Sequence, residues 1–165
     1  MERLYNSYRT IVEDILENKE FKKLKYIEHH GFTRYEHSFR VSYISYMLAS
    51  KLHFNKEEVA RAGLLHDFFL SSDDRTSKEK FLSTFTHPKK AVEHSSKYFD
   101  LSKREKNIIK AHMFPMYTTI PRYKESILVS LVDKIVAVYE FSHKFKIKFK
   151  YATNMYIFIL FGIFK

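Results

Sequence analysis

The sequence contains no cysteine and few residues that break helices. The absence of cysteine excludes disulfides, thiolate metal sites, cysteine-held iron–sulfur clusters and a cysteine nucleophile. Only three glycines and three prolines occur in 165 residues, which favours long helices over a sheet joined by many tight turns. The length suits one compact domain with a sizeable core. We therefore expect an all-α fold.

Several motifs of common enzyme classes are also missing. The three glycines, at positions 31, 63 and 162, are isolated, so the chain has neither a P-loop nor a dinucleotide-binding turn. It has no G-x-S-x-G elbow and no H-E-x-x-H pair. The start, MERLYNSYRTIVEDIL, lacks the basic and apolar regions of a secretory signal. With the lack of cysteine, this leads us to expect a cytoplasmic location.

The net charge of +10 suits an anionic partner. That partner could be a phosphate-bearing small molecule, nucleic acid or a membrane surface, and charge alone does not choose among them. A solvated basic surface is the alternative interpretation.

Apolar residues recur at helical spacing along most of the chain. One polar segment, residues 71–80, is predicted to be a surface loop. Capping boxes are predicted at Asn55 with Glu58 and at Ser102 with Glu105. The predicted helices cover residues 2–18, residues 35–52, the segment from Asn55 to GLLHD, a segment with Pro88 in its first turn, the segment from Ser102 to Pro115, and residues 123–141.

The tail, residues 144–165, differs in kind from residues 1–143, which we expect to form the helical domain. HKFKIKFK alternates basic and apolar residues, as an edge strand or a membrane-facing segment does, and MYIFILFGIF follows without a charge. Ten helical residues span about 15 Å, whereas a hydrocarbon core is about 30 Å thick. We expect the tail to pack on the domain or in a homo-oligomer contact, with membrane-surface docking as the alternative.

The stretch GLLHDFFL, residues 63–70, places His66 and Asp67 in an apolar run. A buried carboxylate is costly unless a positive group lies beside it. Asp133 poses the same problem in ILVSLVDKIVAVY, and His37 and His112 fall on other predicted helices. Divalent cations would neutralise both carboxylates and accept neutral imidazole nitrogens. The alternative is that each Asp pairs with a buried Lys or Arg.

The order H…HD…D resembles the HD superfamily of metal-dependent phosphohydrolases. Five blocks carry the resemblance in order over about residues 30–141: RYEHSFRVSYISYMLA, VARAGLLHDFF, THPKKAVEHS, IIKAHMFP and ILVSLVDKIVAVYE. The resemblance implies a bundle of about five core helices and hydrolysis of a phosphoester or phosphoanhydride by a metal-activated water. FFL follows HD where many relatives carry an Ile-Gly-Lys type continuation. The H-x-x-x-G and G-Y-P elements of cyclic dinucleotide phosphodiesterases are absent, so we do not expect that substrate.

The resemblance also implies two divalent ions, with iron or manganese expected and zinc, cobalt or magnesium as alternatives. In the family pattern Asp67 bridges the two ions. The implied ligands of the first ion are His37, His66, Asp67 and Asp133, and those added for the second are His87 and His112.

His94 competes with His87 for the third block. On one helix the two residues would lie two turns and about 10.5 Å apart, too far to share an ion. The H-P-x-x-A context favours His87.

Substrate contacts are predicted from nearby cations. His66 and Asp67 are the catalytic candidates, together with Arg34, which shares a helix face with His37 and could hold a phosphate oxygen. Arg122 and Lys124 are further substrate-binding candidates, and an ordinary surface cation is the alternative for each of the three. We expect a phosphorylated, nucleotide-like small molecule rather than nucleic acid, recognised by loops 71–86 and 113–122.

Two other functions stay open at this point. The same ligand set resembles HD-type di-iron oxygenases, in which iron activates dioxygen instead of water. The second alternative is a basic nucleic-acid-binding or inactive metal-binding module.

Overall fold

A computed structural model describes residues 2–29, 32–70, 77–116 and 118–163, with the backbone alone described for 77–85 and 147–163. The described residues confirm the all-α class. A 3-10 helix (Lys23–Tyr26) and a two-stranded antiparallel ribbon of β1 (Glu28–His29) and β2 (Phe32–Thr33) precede the main bundle. The α-helices are α1 (Glu2–Glu17), α2 (Lys19–Lys22), α3 (Arg34–Lys51), α4 (Lys56–Leu65), α5 (Ser77–Ser95), α6 (Lys103–Ala111) and α7 (Lys124–Ile163).

Side-chain caps fix where the site-bearing helices begin. The predicted box at Ser102 and Glu105 is confirmed at the start of α6. The Asn55 side chain accepts from the Glu58 backbone N–H as predicted. The Asn55 backbone N–H, however, donates to the Glu125 side chain and not to that of Glu58. A capping box that the sequence reading missed, Thr33 with Glu36, opens α3. Helix α3 therefore begins three residues before His37.

Helices α3 and α4 pack in close contact through small residues. A Cβ atom at Gly63 would lie 3.0 Å from Ser42 Cα, so the helices can approach this closely only because position 63 lacks a side chain. Ser42 Oγ donates to the Ala60 carbonyl at 2.6 Å and accepts from the Tyr8 hydroxyl at 2.9 Å. This contact positions the end of α4, where His66 follows, against α3.

Helix α5 begins earlier than the sequence predicts. Residues 77–86 are helical, so the predicted polar loop is wrong from residue 77, while residues 71–76 lie outside the described residues. Pro88 lies inside α5 and not in its first turn. A proline there removes one hydrogen bond and costs about 3 kcal/mol in an isolated helix. Packing of α5 on α4 and α6 offsets this cost.

Helix α7 continues past residue 141, the predicted end, to Ile163. Of the two interpretations of HKFKIKFK, the edge strand is therefore wrong. A strand needs a neighbour to satisfy its backbone groups, whereas a helix satisfies them internally. Because α7 runs unbroken through residue 144, the division into residues 1–143 and 144–165 stays a prediction.

The outer side of α7 carries several exposed apolar residues, including Ile127, Leu131, Ile135 and Val138. The oligomer contact and the membrane-surface contact predicted for the tail both stay predictions. None of the helices that the structure describes has the length and apolarity needed to cross a membrane.

Candidate metal centre

Six side chains from separate parts of the chain meet in one buried cluster. Each residue is at most 9% exposed to solvent. They are His37 on α3, His66 at the C-cap of α4, Asp67 directly after it, His87 on α5, His112 at the C-cap of α6 and Asp133 on α7.

Asp133 forms one half of the cluster with two imidazoles. Its Oδ1 atom lies 3.0 Å from His37 Nε2 and 3.5 Å from His66 Nε2. Burial by itself would raise the pKa of Asp133, but the hydrogen bond with His37 and the neighbouring His66 imidazole hold it well below its usual range. The alternative pairing with a buried Lys or Arg does not describe Asp133, whose ion-pairing neighbours among the described residues are these histidines.

Asp67 faces three imidazoles, two with Oδ1 and one with Oδ2. Oδ1 lies 3.4 Å from His87 Nε2 and 3.8 Å from His112 Nε2, and Oδ2 lies 3.9 Å from His66 Nε2. The Nε2 atoms of His87 and His112 are 2.9 Å apart. Asp67 therefore stands between the two halves of the cluster.

The second ring nitrogen of three histidines is bound by the protein. His66 Nδ1 lies 2.8 Å from the Gly63 carbonyl, and His112 Nδ1 lies 2.7 Å from the Ile109 carbonyl. Both histidines occupy helix C-caps, where carbonyls of the last turn lack helical partners and can accept such a bond. His37 Nδ1 contacts Glu140 Oε2 at 2.8 Å. These bonds turn the Nε2 atoms toward the cluster, as the ligating nitrogens of metal-bound histidines require.

Electrostatics divide the histidines into two types. Burial, followed by the charge of His66, lowers the pKa of His112 to about 3, so this imidazole is neutral. Burial alone would lower the pKa of His37, but hydrogen bonds with Asp133 and Glu140 outweigh it and raise this pKa to about 10. Without an ion, His37 therefore carries a proton that an ion must displace.

The cluster fits divalent cations on three counts. The contacts of His87 Nε2 with Asp67 at 3.4 Å and of His66 Nε2 with Asp133 at 3.5 Å are longer than ordinary hydrogen bonds, yet two ligands each about 2.1 Å from a shared ion lie roughly 3.0–3.5 Å apart. His66 Nε2 is fully buried and makes no hydrogen bond within the described part of the chain. Imidazole nitrogens and carboxylate oxygens are also the donors that iron, manganese and zinc accept.

Two groups of three within the cluster have ligand atoms that all lie within 4.8 Å of one another. They are His37, His66 and Asp133, and His66, Asp67 and His112.

His94 lies apart from the cluster. Its ring contacts Phe68, with ring centroids 4.5 Å apart, and Tyr98, at 5.3 Å. Of the two histidines that compete for the third block, the structure brings His87 to Asp67.

Arg34 is the one predicted substrate cation that lies beside the cluster. Its Nη1 atom donates to the Phe69 carbonyl at 2.7 Å, and its guanidinium stands 4.1 Å from the centre of the Phe69 ring. Phe69 links Arg34 to the cluster, because its ring also stacks on the His87 imidazole with ring centroids 5.6 Å apart.

The structure does not bring Arg122 and Lys124 to the cluster. Lys124 Nζ lies over the Phe54 ring at 4.2 Å, and it precedes Asp133 on α7 by nine residues, about 13.5 Å along the helix axis. Arg122 lines a different cavity, on the outer side of α6. Closeness in sequence to His112 does not bring either side chain to the cluster, because the chain turns between α6 and α7; their role as substrate contacts stays a prediction.

Sequence reasoning missed two residues that support the centre. Glu140 is fully buried and holds both His37 and Arg40, the latter at 2.6 Å. Lys134 Nζ donates to the His112 carbonyl at 2.9 Å and to Ser130. Glu140 follows Asp133 by seven residues, a spacing that returns to the same helix face, and this signal could have found it.

The comparisons with known proteins agree with this geometry. A family model described as HD domain matches residues 34–138, nearly two thirds of the 165 residues and a range that contains all six clustered side chains. No curated protein and no solved structure matches the chain. The match over most of its length, with the histidines and aspartates gathered in one buried cluster, makes the chain a member of the HD-domain family.

Proposed function

We propose that this HD-domain chain is a metal-dependent phosphohydrolase that cleaves a phosphoester or phosphoanhydride of a small, nucleotide-like molecule. The observation that carries the proposal is the buried cluster of imidazole nitrogens and carboxylate oxygens, in which contacts of 3.0–3.5 Å match the spacing of ligands that share an ion. HD domains are in general of the metal-dependent hydrolase type, and the finer assignment to a phosphorylated substrate is our inference.

The chain's own residues would hold two ions in two adjoining groups. In this proposal His37, His66 and Asp133 form one group and His87 and His112 the other, with Asp67 shared because its oxygens face both. Bound divalent ions supply a water of lowered pKa and neutralise charge on phosphate oxygens. The backbone carbonyls at Gly63 and Ile109 fix the imidazole orientation before any ion arrives.

Arg34 is proposed to neutralise a phosphate oxygen that does not react. Its contact with Phe69, which in turn stacks on His87, holds a cation next to the cluster. A guanidinium suits this role because it stays charged and binds phosphate in a planar, two-pronged manner.

The first experiment is elemental analysis of the purified protein beside Asp67→Ala and a matched control, Asp100→Ala. Asp100 is exposed and lies outside the cluster. We expect about two transition-metal ions per chain in the wild type and the control, and their loss in Asp67→Ala. Hydrolysis of a panel of nucleotides and small phosphate esters should follow the metal content.

Two results would contradict the proposal. One is a wild-type protein that holds no metal after reconstitution without chelators. The other is a metal-loaded protein that consumes oxygen and hydrolyses no phosphate compound on the panel, which would indicate the oxygenase alternative.

A further inference from the structure

A second site is suggested by a cavity of about 680 Å³ on the outer side of α6. Lys103, Lys106 and Lys110 line it from one face of that helix, since their spacing of three and seven residues returns to the same side. Arg122 lines it from the segment that leads into α7. Its lining contains four cations and no Asp or Glu.

These four cations have no carboxylate partner among the described residues. The neighbouring Arg104, in contrast, pairs with Glu58 at 2.6 Å. A concave surface lined by charge of one sign concentrates ions of the other sign. The cavity is therefore suited to an anionic ligand from solution.

Asn107 fixes the two walls of the cavity to each other. Its Oδ1 atom accepts from the Arg122 amide at 2.9 Å and from Ser126 Oγ at 2.8 Å, and its Nδ2 atom donates to the Ile120 carbonyl at 3.4 Å. One side chain of α6 thus holds the segment that carries Arg122. The cations of both walls are kept together before a ligand binds, which reduces the entropy cost of binding.

We propose that this cavity binds the polyphosphate chain of a small molecule, at a site separate from the metal centre. Three or four phosphate charges match four cations, and lysine and arginine are the usual phosphate-binding side chains. The volume lies in the range of about 300–1,000 Å³ that small ligands occupy. The hydroxyls of Thr118 and Thr119, which also line the cavity, add neutral donors. No residue is shared with the metal centre, so this inference does not depend on the proposed function.

The test measures binding of two probes by calorimetry: inorganic tripolyphosphate, and an ATP analogue with a methylene group between its last two phosphorus atoms. The proteins are the wild type, Lys106→Gln/Lys110→Gln and a control of equal charge change, Lys51→Gln/Lys90→Gln, whose lysines are exposed elsewhere. We expect one equivalent to bind at the cavity, in addition to any bound at the metal centre, and the cavity variant to bind that equivalent at least about tenfold more weakly. The control should stay within about twofold, and about 0.3 M salt should weaken all binding.

The two probes distinguish the source of the chain. Equal affinity for both supports recognition of a bare polyphosphate, and tighter binding of the analogue supports a nucleoside polyphosphate. Unchanged metal content in the cavity variant would confirm that the two sites are separate. A single Arg122→Gln variant, expected to weaken the same probes, gives an independent check from the opposite wall.

Four outcomes would overturn the proposal. The first is that neither probe binds to the wild type, and the second is that only a long oligonucleotide binds. The third is equal weakening in the control, which would indicate an effect of overall charge. The fourth is loss of binding in Asp67→Ala but not in the cavity variant, which would place the phosphates at the metal centre.

Discussion

Helix α6 separates two polar regions that follow opposite rules. At its end, His112 enters a buried cluster in which each carboxylate has imidazoles within 4 Å. On its outer face, Lys106 and Lys110 are exposed and line a cavity without a carboxylate. A buried charge must be balanced by the fold itself, whereas an exposed charge can wait for a ligand because water solvates it. The first region is therefore suited to cations and the second to anions.

The largest difference between the two regions is expected from single substitutions of Lys110 and His112, two residues apart at the end of α6. His112→Ala is expected to lower the rate of phosphate-ester hydrolysis by at least about 100-fold, since loss of a ligand should cost at least as much as loss of a residue that supports one. It should also lower metal content. Lys110→Ala should keep its metal and bind tripolyphosphate a few-fold more weakly. Elemental analysis, hydrolysis assays and calorimetry on both variants make the comparison, and equal metal loss in the two would contradict it.

Glu140→Gln tests whether metal affinity of the buried cluster depends on a carboxylate outside it. The carboxylate that holds His37 Nδ1 would become a neutral amide, and we expect metal affinity to fall by about 10–100-fold. Competition with a chromophoric chelator measures the affinity. Glu93→Gln, on the exposed side of α5, is the control. An unchanged affinity in Glu140→Gln would show that His37 needs no such partner.

Gly63→Ala tests the close contact that positions His66. Its Cβ atom would lie 3.0 Å from a backbone atom of Ser42, so α3 and α4 would have to move apart. We expect the free energy of unfolding to fall by about 1–3 kcal/mol, measured by urea denaturation. Lys51→Ala, at an exposed position of α3, should stay within about 0.5 kcal/mol of the wild type. A Gly63→Ala protein of wild-type stability would mean that the helices adjust freely.

The smallest effect is expected at His94, the histidine of α5 outside the cluster. Burial lowers the pKa of its imidazole below the ordinary value of 6.5. The unfolded chain therefore takes up a proton at higher pH than the folded chain, so the wild type should lose stability as pH falls below 6.5. His94→Gln should reduce this acid loss and keep the metals. Melting temperatures between pH 7 and pH 5 test this, and an identical acid loss in the variant would contradict it.

The same pH argument has the opposite sign at His37. In the metal-free protein its pKa is raised to about 10, so its pairing with Asp133 and Glu140 stabilises the fold fully below pH 6.5. That contribution is lost as pH rises toward 10. Deprotonation also prepares His37 for an ion, which links metal binding to proton release.

Much of the helical pattern could be read from the sequence because it depends on local rules. The spacing of apolar residues predicted α1 and α3, and Ser102 with Glu105 predicted the start of α6. Local rules failed where tertiary packing set the helix boundaries. By local preference Pro88 belongs in the first turn of a helix, yet α5 begins eleven residues before it. The alternation of HKFKIKFK resembles a strand, yet α7 continues through it as a helix.

The sequence by itself determined which residue types could form a centre: it has no thiolate, a His-Asp pair in an apolar run, and an ordered series of blocks that resembles the HD superfamily. The tertiary structure alone decided the distances: that the six side chains meet in one buried cluster, that Glu140 Oε2 lies 2.8 Å from His37 Nδ1, and that Arg122 lines a cavity of its own. The physical reason is distance. Burial and electrostatics act over a few ångströms between side chains up to about a hundred residues apart in the chain, such as His37 and Glu140, and only folding brings them within that range.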